Sequence, residues 1–384
     1  MAKMKLFCRP ESVSGSRIKF AATVVFYFFT LLFLSFFSFS QVDAGLHLFS
    51  NKDDRLLQNS LVRFASEKRL YTGLIYTFLF IGMFVAYFLL MKQWKRISKR
   101  VLAVFIIGTV ALTFFAFPAS FSHDIYNYLM YEKILLVYHA NPYTVLPAHF
   151  RGDPLLNYIH WPNAPSRYGP VWLALAGVVY FFTQNSLAVS LWGVKALLVA
   201  CFLGTLIVVV KIARHLRVDV CRTLIFIVGN PLIIVESLIN PHVDSLMTFL
   251  AVAAVWFVLK RRNLKAGVLI MMSFLSKAVS LPVSLILIVR SVRLFFWIAL
   301  IGAVVESVVL SIAAWYFVLP VIAAAFLYAS KKIRYLVYAL SAATLVRYLP
   351  YFYLGYFDPT NKIRLILFVF VMILFTAWSF RSDL

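Results

Sequence analysis

The sequence has few charged residues and very few acids. Only 13% of its 384 residues are charged and 63% are hydrophobic, whereas about a quarter of an ordinary soluble domain is charged. A soluble protein of this size needs a charged exterior, so the composition excludes that class. Several apolar runs are long enough to cross a hydrocarbon layer about 30 Å thick. The sequence therefore predicts an all-α membrane bundle of about 11–13 transmembrane or re-entrant helices.

The chain has 37 basic residues but only 14 acids, a net charge of +23. The basic residues form short clusters between apolar runs, which is typical of cytoplasmic loops and not of a nucleic-acid surface. We therefore expect no nucleic-acid partner, a cytoplasmic N-terminus in the plasma membrane, and outer loops at 41–70 and 119–168. The clusters are Lys92–Arg100, Lys211–Arg222, Lys260–Lys265 and Lys331–Arg334.

Cysteine is also scarce, and the spacing of Cys8, Cys201 and Cys221 indicates neither a disulfide framework nor a zinc site. Near the N-terminus, basic residues precede an apolar run from Phe20 to Phe39. This run is longer than the 7–15-residue core of a secretory signal, so we favour a retained first helix over a cleaved signal. The basic residues are Lys3, Lys5, Arg9, Arg17 and Lys19.

No internal repeat or linker divides the chain, so we predict a single domain over residues 1–384. Two apolar segments are short. Val171–Phe182 is too short to cross comfortably and predicts a half-membrane or interfacial helix. The segments 266–276 and 279–289, on either side of Ser276-Lys277, predict a bent span or a re-entrant pair.

The outer loop opens with the polar stretch SHDIYNYLMYEKILLVYHANPYTVLP, Ser122 to Pro147. At helical spacing its polar residues share one half of the circumference, with Ile125, Leu129 and Leu136 opposite. The pattern predicts an amphipathic helix in the membrane interface, with its polar face toward a pocket or water. That face carries His123, Asp124, Asn127, Tyr128, Tyr131 and Glu132.

Asp124 follows the third predicted span directly, near the outer edge of the hydrocarbon layer. Burial would raise the pKa of its carboxyl unless a cation compensates, and such an acid is suited to take a proton from an alcohol. The spacing agrees equally well with helix capping, because an anion is favourable at a helix start.

The rest of the loop contains turns at Asn141-Pro142-Tyr143 and Asp153-Pro154, and ends at Arg167-Tyr168-Gly169-Pro170, where Pro170 is placed to start a helix. Arg167 has the geometry to hold a phosphate. An Arg-Tyr pair is also ordinary anchoring at a membrane surface, and both interpretations stay open.

A second polar cluster lies in VGNPLIIVESLINPHVDSLMTFL. Gly229-Asn230-Pro231 is expected to break a helix, and Glu236 is ionisable within an apolar run, which marks a functional site by default. In an extended turn Asn240, His242 and Asp244 would point the same way, although Asp244 could instead cap the next helix. Asp124, His242 and Asp244 could also hold a divalent metal, and we commit to none.

Lys277 and Glu306 are further charges within apolar segments. Lys277 could meet an anionic headgroup, and Glu306 could be a packing partner for a cation.

These motifs, HDIYNYLMYEKIL, ANPYTVLP, RYGPVW and NPLIIVESLINPHVDSLM, occur in an order that resembles the GT-C superfamily of integral-membrane glycosyltransferases. The resemblance covers residues 101–285 and is strongest to the polyprenol-phosphate mannosyltransferases of the MptA/MptB kind. One motif departs from that pattern: this chain has Asn-Pro-His-Val-Asp at 240–244, where Gly-His-Asn-Asp is common.

The resemblance implies an enzyme that uses a lipid-phosphate sugar donor, with no certain cofactor, and transfers the sugar to a glycan or glycolipid on the outer face. Asp124 would be the catalytic base, 101–285 the catalytic core, and helices within 290–384 a groove for the lipid. Mannose comes from the resemblance alone. The residues expected to bind substrate are His123, Tyr126, Asn127, Tyr128, Asn141, Tyr143, Arg167, Tyr168, Glu236, Asn240, His242, Asp244 and Lys277.

The chemistry of the residues agrees with this expectation. Nucleotide sugars are cytoplasmic, so an outward-facing transferase needs a donor activated by a membrane-anchored phosphate. Direct attack by the acceptor hydroxyl, with Asp124 as base, would invert the anomeric centre. Arg167, His242 or Lys277 would stabilise the departing phosphate. The rival from another class is a proton-coupled transporter or lipid flippase, in which the same acids would relay protons.

Overall fold

A computed structural model describes residues 17–48, 51–310, 312–356 and 362–381. Within these ranges the regular structure is helical and contains no strand. The prediction of an all-α polytopic bundle is confirmed. Cys8 and the basic residues Lys3, Lys5 and Arg9 lie outside the described residues.

The first part of the chain forms the helices that carry the two predicted outer loops. In chain order these are α1 (Arg17–Ser38), α2 (Lys52–Glu67), α3 (Arg69–Gln93), α4 (Lys99–Phe114), α5 (Asp124–Leu136), α6 (Pro170–Thr183), α7 (Leu187–His215) and α8 (Val220–Val228).

The second part is built from shorter and more broken helices. They are α9 (Pro231–Ile239), α10 (Asp244–Leu259), α11 (Asn263–Phe274), α12 (Ala278–Val289), α13 (Val292–Val309), α14 (Ala314–Leu327), α15 (Lys331–Val346), α16 (Leu349–Leu354) and α17 (Lys362–Arg381).

Four helices in the described ranges are long and apolar enough to cross a membrane, namely α1, α3, α7 and α13. Helices α8 and α9 pass the same test together, but they bend by 56° between Val228 and Pro231. The predicted break at Gly229-Asn230-Pro231 is therefore confirmed, because proline cannot continue the hydrogen bonds of the preceding helix. A second predicted break, at Ser276-Lys277, separates α11 from α12.

Helix α6 has 14 residues and is about 21 Å long, which agrees with the prediction of a helix too short to cross. Its start is fixed against the break between α11 and α12, since the amide of Gly169 donates to the carbonyl of Ser276 at 3.0 Å. A Cβ at Gly169 would lie 1.9 Å from the carbonyl oxygen of Leu275, so only glycine allows this approach.

Two sequence-based expectations were wrong. Helix α2, from Lys52 to Glu67, lies within 41–70, where the sequence predicts a loop. Helix α5 is not exposed on one face. Ile125 and Leu129, expected to face lipid, are as buried as the polar Tyr128 and Glu132, because α5 packs between the outer loop and helices α6 and α7.

The four basic clusters lie at one end of the bundle and are linked through aromatic rings. The guanidinium of Arg222 lies 5.5 Å from the Trp94 ring and 4.4 Å from the Tyr328 ring. Arg334 shares that Tyr328 ring, at 4.9 Å. The cluster Lys260–Lys265 is linked to Lys211–Arg222 through Trp256. The Trp256 ring contacts the His215 ring at 6.0 Å and the ammonium of Lys260 at 4.7 Å.

The opposite end of α4 is fixed by a lysine that sequence reasoning overlooked. Lys195 is fully buried in α7. Its ammonium donates to the carbonyls of Thr113 and Ala116, at 2.8 and 2.6 Å. These carbonyls belong to the last turn of α4 and to the second residue after it, where oxygens lack helical partners. Lys195 thus positions the chain just before Asp124.

Candidate active site

The two polar segments singled out in the sequence meet at the end of the bundle where α5 begins. The side-chain oxygen of Asn240 accepts hydrogen bonds from the amides of Phe121 and Ser122, at 3.1 and 3.2 Å. These contacts place the turn before α10 against the residues that lead into Asp124. Two motifs more than a hundred residues apart therefore form one site.

His242 is the centre of a buried cluster. Its Nδ1 lies 3.4 Å from a carboxylate oxygen of Asp124, and its Nε2 lies 3.2 Å from an oxygen of Glu236. The other oxygen of Glu236 accepts a hydrogen bond from the Tyr348 hydroxyl at 2.9 Å. The imidazole stacks on the indole of Trp315, with centroids 4.0 Å apart. His242 is fully buried, whereas the Asp124 side chain is 14% exposed and can be reached from outside the cluster.

The charges in this cluster set the ionisation of His242 and Asp124. Burial alone would lower the pKa of His242, but contacts with Asp124 and Glu236 raise it to about 9. Burial alone would raise the pKa of Asp124, but His242 and Lys277 outweigh it and hold that pKa below its usual value. The rise in pKa that burial predicted is therefore not found, because His242 and Lys277 compensate for it, and Asp124 is ionised at neutral pH.

A second charged group lies beside the first. The ammonium of Lys277, in the break between α11 and α12, lies 2.8 Å from Asp244 and 2.7 Å from Glu306. It also lies over the Tyr316 ring at 4.5 Å. Asp244 is the first residue of α10, but its side chain makes no capping hydrogen bond and binds Lys277 instead. A small pocket between α10, α12, α13 and α14 is lined mainly by apolar residues, together with Glu306 and Tyr316.

The start of α5 makes a third group with Asp43, an acid from the segment between α1 and α2 that was not predicted. Asp43 accepts a hydrogen bond from the Tyr126 hydroxyl at 2.7 Å, and its other oxygen lies 2.7 Å from Nε2 of His123. The His123 ring stacks on His160 at 4.0 Å. Burial lowers the pKa of His160 to about 4, with the charge of His123 adding to the effect.

The tyrosines of α5 link this helix to the rest of the site. The Tyr128 hydroxyl accepts a hydrogen bond from the amide of Val243 at 3.3 Å. The Tyr128 ring packs edge-on against Tyr168 at 4.8 Å and Trp172 at 5.0 Å. Asn127 is buried on the same helix. Tyr128 therefore joins α5 to the turn before α10, and Tyr168 and Trp172 pack against its ring.

Three predicted residues are exposed, unlike the buried members of the Asp124 cluster. Asn141 and Tyr143 are exposed and form a local turn, in which the Asn141 side chain accepts from the amide of Tyr143 at 2.9 Å. Arg167 is exposed at the end of the loop and, among the described residues, forms no ion pair within 4.0 Å. Sequence spacing cannot reveal this difference in exposure, because the exposure of each residue depends on how the loop folds back.

The site also contains residues that the sequence argument missed. They come from the segment between α1 and α2 and from α14 to α16, far from the recognised motifs, and are Asp43, Trp315, Arg347 and Tyr348. The sequence could have identified Arg347 and Lys195, because each is a charged residue within an apolar run, which marks a candidate site. No such pattern distinguishes Asp43, Trp315 and Tyr348. In the part of the chain that the structure describes, no group of three His, Cys, Asp or Glu side chains is arranged to hold a metal.

The order of these motifs and their common site point to one family of membrane glycosyltransferases. Residues 37–293 match the family described as "Alpha-(1->6)-mannopyranosyltransferase, N-terminal domain" of the MptA/MptB group. The chain belongs to this family. The match spans residues 41–70 and 119–168 and ends at the start of α13, so the MptA/MptB region includes Asp43, Asp124, Glu236, His242 and Lys277.

One curated relative gives the same family. The chain is 26% identical over 223 residues to alpha-(1->6)-mannopyranosyltransferase A of Corynebacterium glutamicum. The aligned part is 54% of this chain and 44% of that relative, so the chain spans less than half the length of the curated protein it matches. No solved structure matches the chain significantly.

Proposed function

We propose that this membrane protein is a glycosyltransferase that moves mannose from a polyprenyl-phosphate donor to an acceptor hydroxyl on the extracytoplasmic face. The observation that carries the proposal is the Asp124–His242–Glu236 cluster. The cluster contains the accessible carboxylate of Asp124, which lies 3.4 Å from the imidazole of His242. Its residues come from two motifs that lie within the match to a mannosyltransferase family. A glycan or glycolipid would be the acceptor.

In the proposed reaction, the acceptor oxygen attacks the anomeric carbon while Asp124 takes the hydroxyl proton. The bond from that carbon to the phosphate oxygen breaks, and polyprenyl phosphate leaves with the electron pair. A single displacement of this kind inverts the anomeric centre. His242 is a positioning residue here, because its positive charge keeps Asp124 ionised and fixes its orientation.

Other residues have supporting roles in this proposal. Trp161 lies beside Asp124 and is 59% exposed, so its indole offers a surface for a sugar ring. Residues 101–285 would then contain the chemistry, and helices after 290 would help to hold the lipid.

The donor is tested with purified full-length protein in detergent. We expect radiolabelled mannose to pass from polyprenyl-phosphate mannose to a mannoside acceptor, and not from GDP-mannose, because the proposed donor is activated by a lipid phosphate. Thin-layer separation of the labelled product measures the transfer. Transfer from GDP-mannose alone would contradict the proposed donor. No transfer from either donor, with movement of lipid-linked mannose across vesicles, would favour the transporter.

The orientation is tested with single cysteines at two exposed positions. We expect Asn163→Cys, in the loop after α5, to react with a membrane-impermeant maleimide in intact cells, because this loop is placed outside. Arg262→Cys, in the basic turn between α10 and α11, should react only after the cells are permeabilised. The unmodified chain measures the background from its own cysteines. The reverse pattern would put Asp124 on the cytoplasmic side, where a lipid-linked donor is not needed.

A further inference from the structure

Arg347 is a buried cation at the C-terminal end of α15. Its side chain is only 6% exposed. The guanidinium carbon lies 5.6 Å from the centre of the Trp315 ring and 5.5 Å from that of Tyr348. The residue lies beyond the part of the chain that matches the mannosyltransferase family. Neither the recognised motifs nor the proposed reaction gives it a role.

The three cations near the site differ in their partners. His242 contacts two acids, at 3.4 and 3.2 Å, and Lys277 contacts two others, at 2.8 and 2.7 Å. Among the described residues, Arg347 has no carboxylate within 4.0 Å, and its Nε and Nη1 have no hydrogen-bond partner. Lys277 and His242 are thus already neutralised by protein carboxylates. Arg347 is the cation whose charge the protein leaves for another anion.

A buried guanidinium without partners is costly. Each buried donor that lacks an acceptor costs about 1–3 kcal/mol, and more when it is charged. The negative end of α15 and the two aromatic faces recover part of this cost. Neither of them accepts a hydrogen bond from Nε or Nη1 along the plane of the guanidinium. An anion with several oxygens, such as a phosphate, would supply acceptors at this edge of the guanidinium.

Arg347 lies next to the cluster that contains Asp124. Trp315 contacts both His242 and Arg347. Its ring stacks on the His242 ring at 4.0 Å, and the guanidinium carbon of Arg347 lies 5.6 Å from its centre. The neighbour of Arg347 along the chain, Tyr348, donates to Glu236 at 2.9 Å. An anion bound to Arg347 would therefore lie beside the reacting groups and not at a distant surface.

We propose that Arg347 binds the phosphate group of the lipid-linked sugar donor, an inference that rests on the proposed function. Two N–H groups of the guanidinium would donate to two phosphate oxygens, which is the geometry that arginine favours. As the bond from the anomeric carbon to the phosphate oxygen breaks, negative charge grows on that phosphate. A preorganised cation at this place stabilises the leaving group.

The test compares the binding of polyprenyl phosphate and of uncharged polyprenol of the same length to the full-length protein. Ligand-induced shifts in the thermal unfolding midpoint give the affinities. We expect wild type to prefer the phosphate, and Arg347→Gln to bind it about 10–100-fold more weakly, because charged hydrogen bonds are lost. Arg334→Gln is the matched control, since Arg334 lies at the other end of α15 over two tyrosine rings at 4.9 and 5.5 Å. It should bind like wild type.

Arg347→Lys keeps the positive charge but lacks the paired N–H donors of the guanidinium. This variant allows the test to be completed if Arg347→Gln does not fold. We expect its affinity to lie between those of wild type and Arg347→Gln. Wild-type affinity in either Arg347 variant would overturn the inference, and so would equal binding of phosphate and polyprenol by wild type. A shift of the same size with inorganic phosphate alone would overturn the assignment to a lipid-borne phosphate.

A transfer assay on the same preparations separates this inference from the proposed function. Mannose transfer by wild type, together with unchanged phosphate binding in Arg347→Gln, would overturn only the inference. Phosphate-dependent binding that is lost in Arg347→Gln, without any mannose transfer by wild type, would leave the anion site standing and count against the proposed function.

Discussion

Replacement of Asp124 by asparagine is expected to lower the rate of mannose transfer by about 10²–10⁴-fold, the usual contribution of a positioned general base. Asparagine has nearly the same shape but cannot accept a proton at neutral pH. The Asp124 side chain is only 14% exposed and lies 3.4 Å from His242, so its environment favours an ionised, oriented carboxylate. Initial rates at saturating donor and acceptor, from about pH 5 to 8, measure the effect.

Two controls distinguish lost chemistry from lost structure. Asp219→Asn changes an acid at the opposite end of the bundle. There the side chain accepts from the amide of Arg222 at 2.8 Å, a helix cap that asparagine also provides. Its transfer rate should equal that of wild type. Asp124→Asn should still bind polyprenyl phosphate and keep its thermal midpoint. Turnover within a factor of two of wild type would remove Asp124 from the role of base.

Replacement of Lys277 by methionine is expected to destabilise the protein by about 3–5 kcal/mol, because it leaves buried carboxylates without their cation. Lys277 is 12% exposed, and it bridges Asp244 at 2.8 Å and Glu306 at 2.7 Å. It joins α10 and α13 to the break before α12, so its loss also removes the contact that fixes this break. Thermal unfolding in detergent, followed by fluorescence, measures the loss.

The cause of that loss is tested by neutralising the acids as well. In the triple variant Lys277→Met with Asp244→Asn and Glu306→Gln, the unpaired charges are gone, and we expect most of the stability to return. Lys265→Met is the matched single control, because Lys265 is exposed and only lies over the Phe257 ring at 5.8 Å. A triple variant as unstable as Lys277→Met would show that the ammonium does more than neutralise the two acids.

Several local features could be predicted because short-range chemistry determines them. The bend of 56° between α8 and α9 follows from Gly229-Asn230-Pro231, where proline lacks the amide that the helix needs. Asp124 was placed correctly at the start of α5, because a polar Ser-His-Asp stretch after an apolar run is an ordinary helix beginning. The short α6 and the break at Ser276-Lys277 followed from segment length and from a charge within an apolar run.

The helices that sequence reasoning misplaced show where such patterns fail. The amphipathic pattern of α5 predicted one lipid-facing side, yet Ile125 and Leu129 are buried as completely as the polar residues. Periodicity reveals that a helix has two faces, but not what covers each face. Helix α2 was missed because its composition is polar overall, and helices were sought in long apolar runs, although its apolar residues do share one face.

The sequence by itself determined the class of protein, because its low charge and apolar runs leave only a helical membrane bundle. It also determined which segments hold the chemistry, since acids and histidines beside lipid are costly and so mark a function. Only the tertiary structure decided which charge meets which. Lys277 binds Asp244 and Glu306, His242 joins Asp124 to Glu236, and Arg347 is left unpaired beside Trp315. Such pairings depend on contacts between helices far apart in the chain, and no local spacing encodes them.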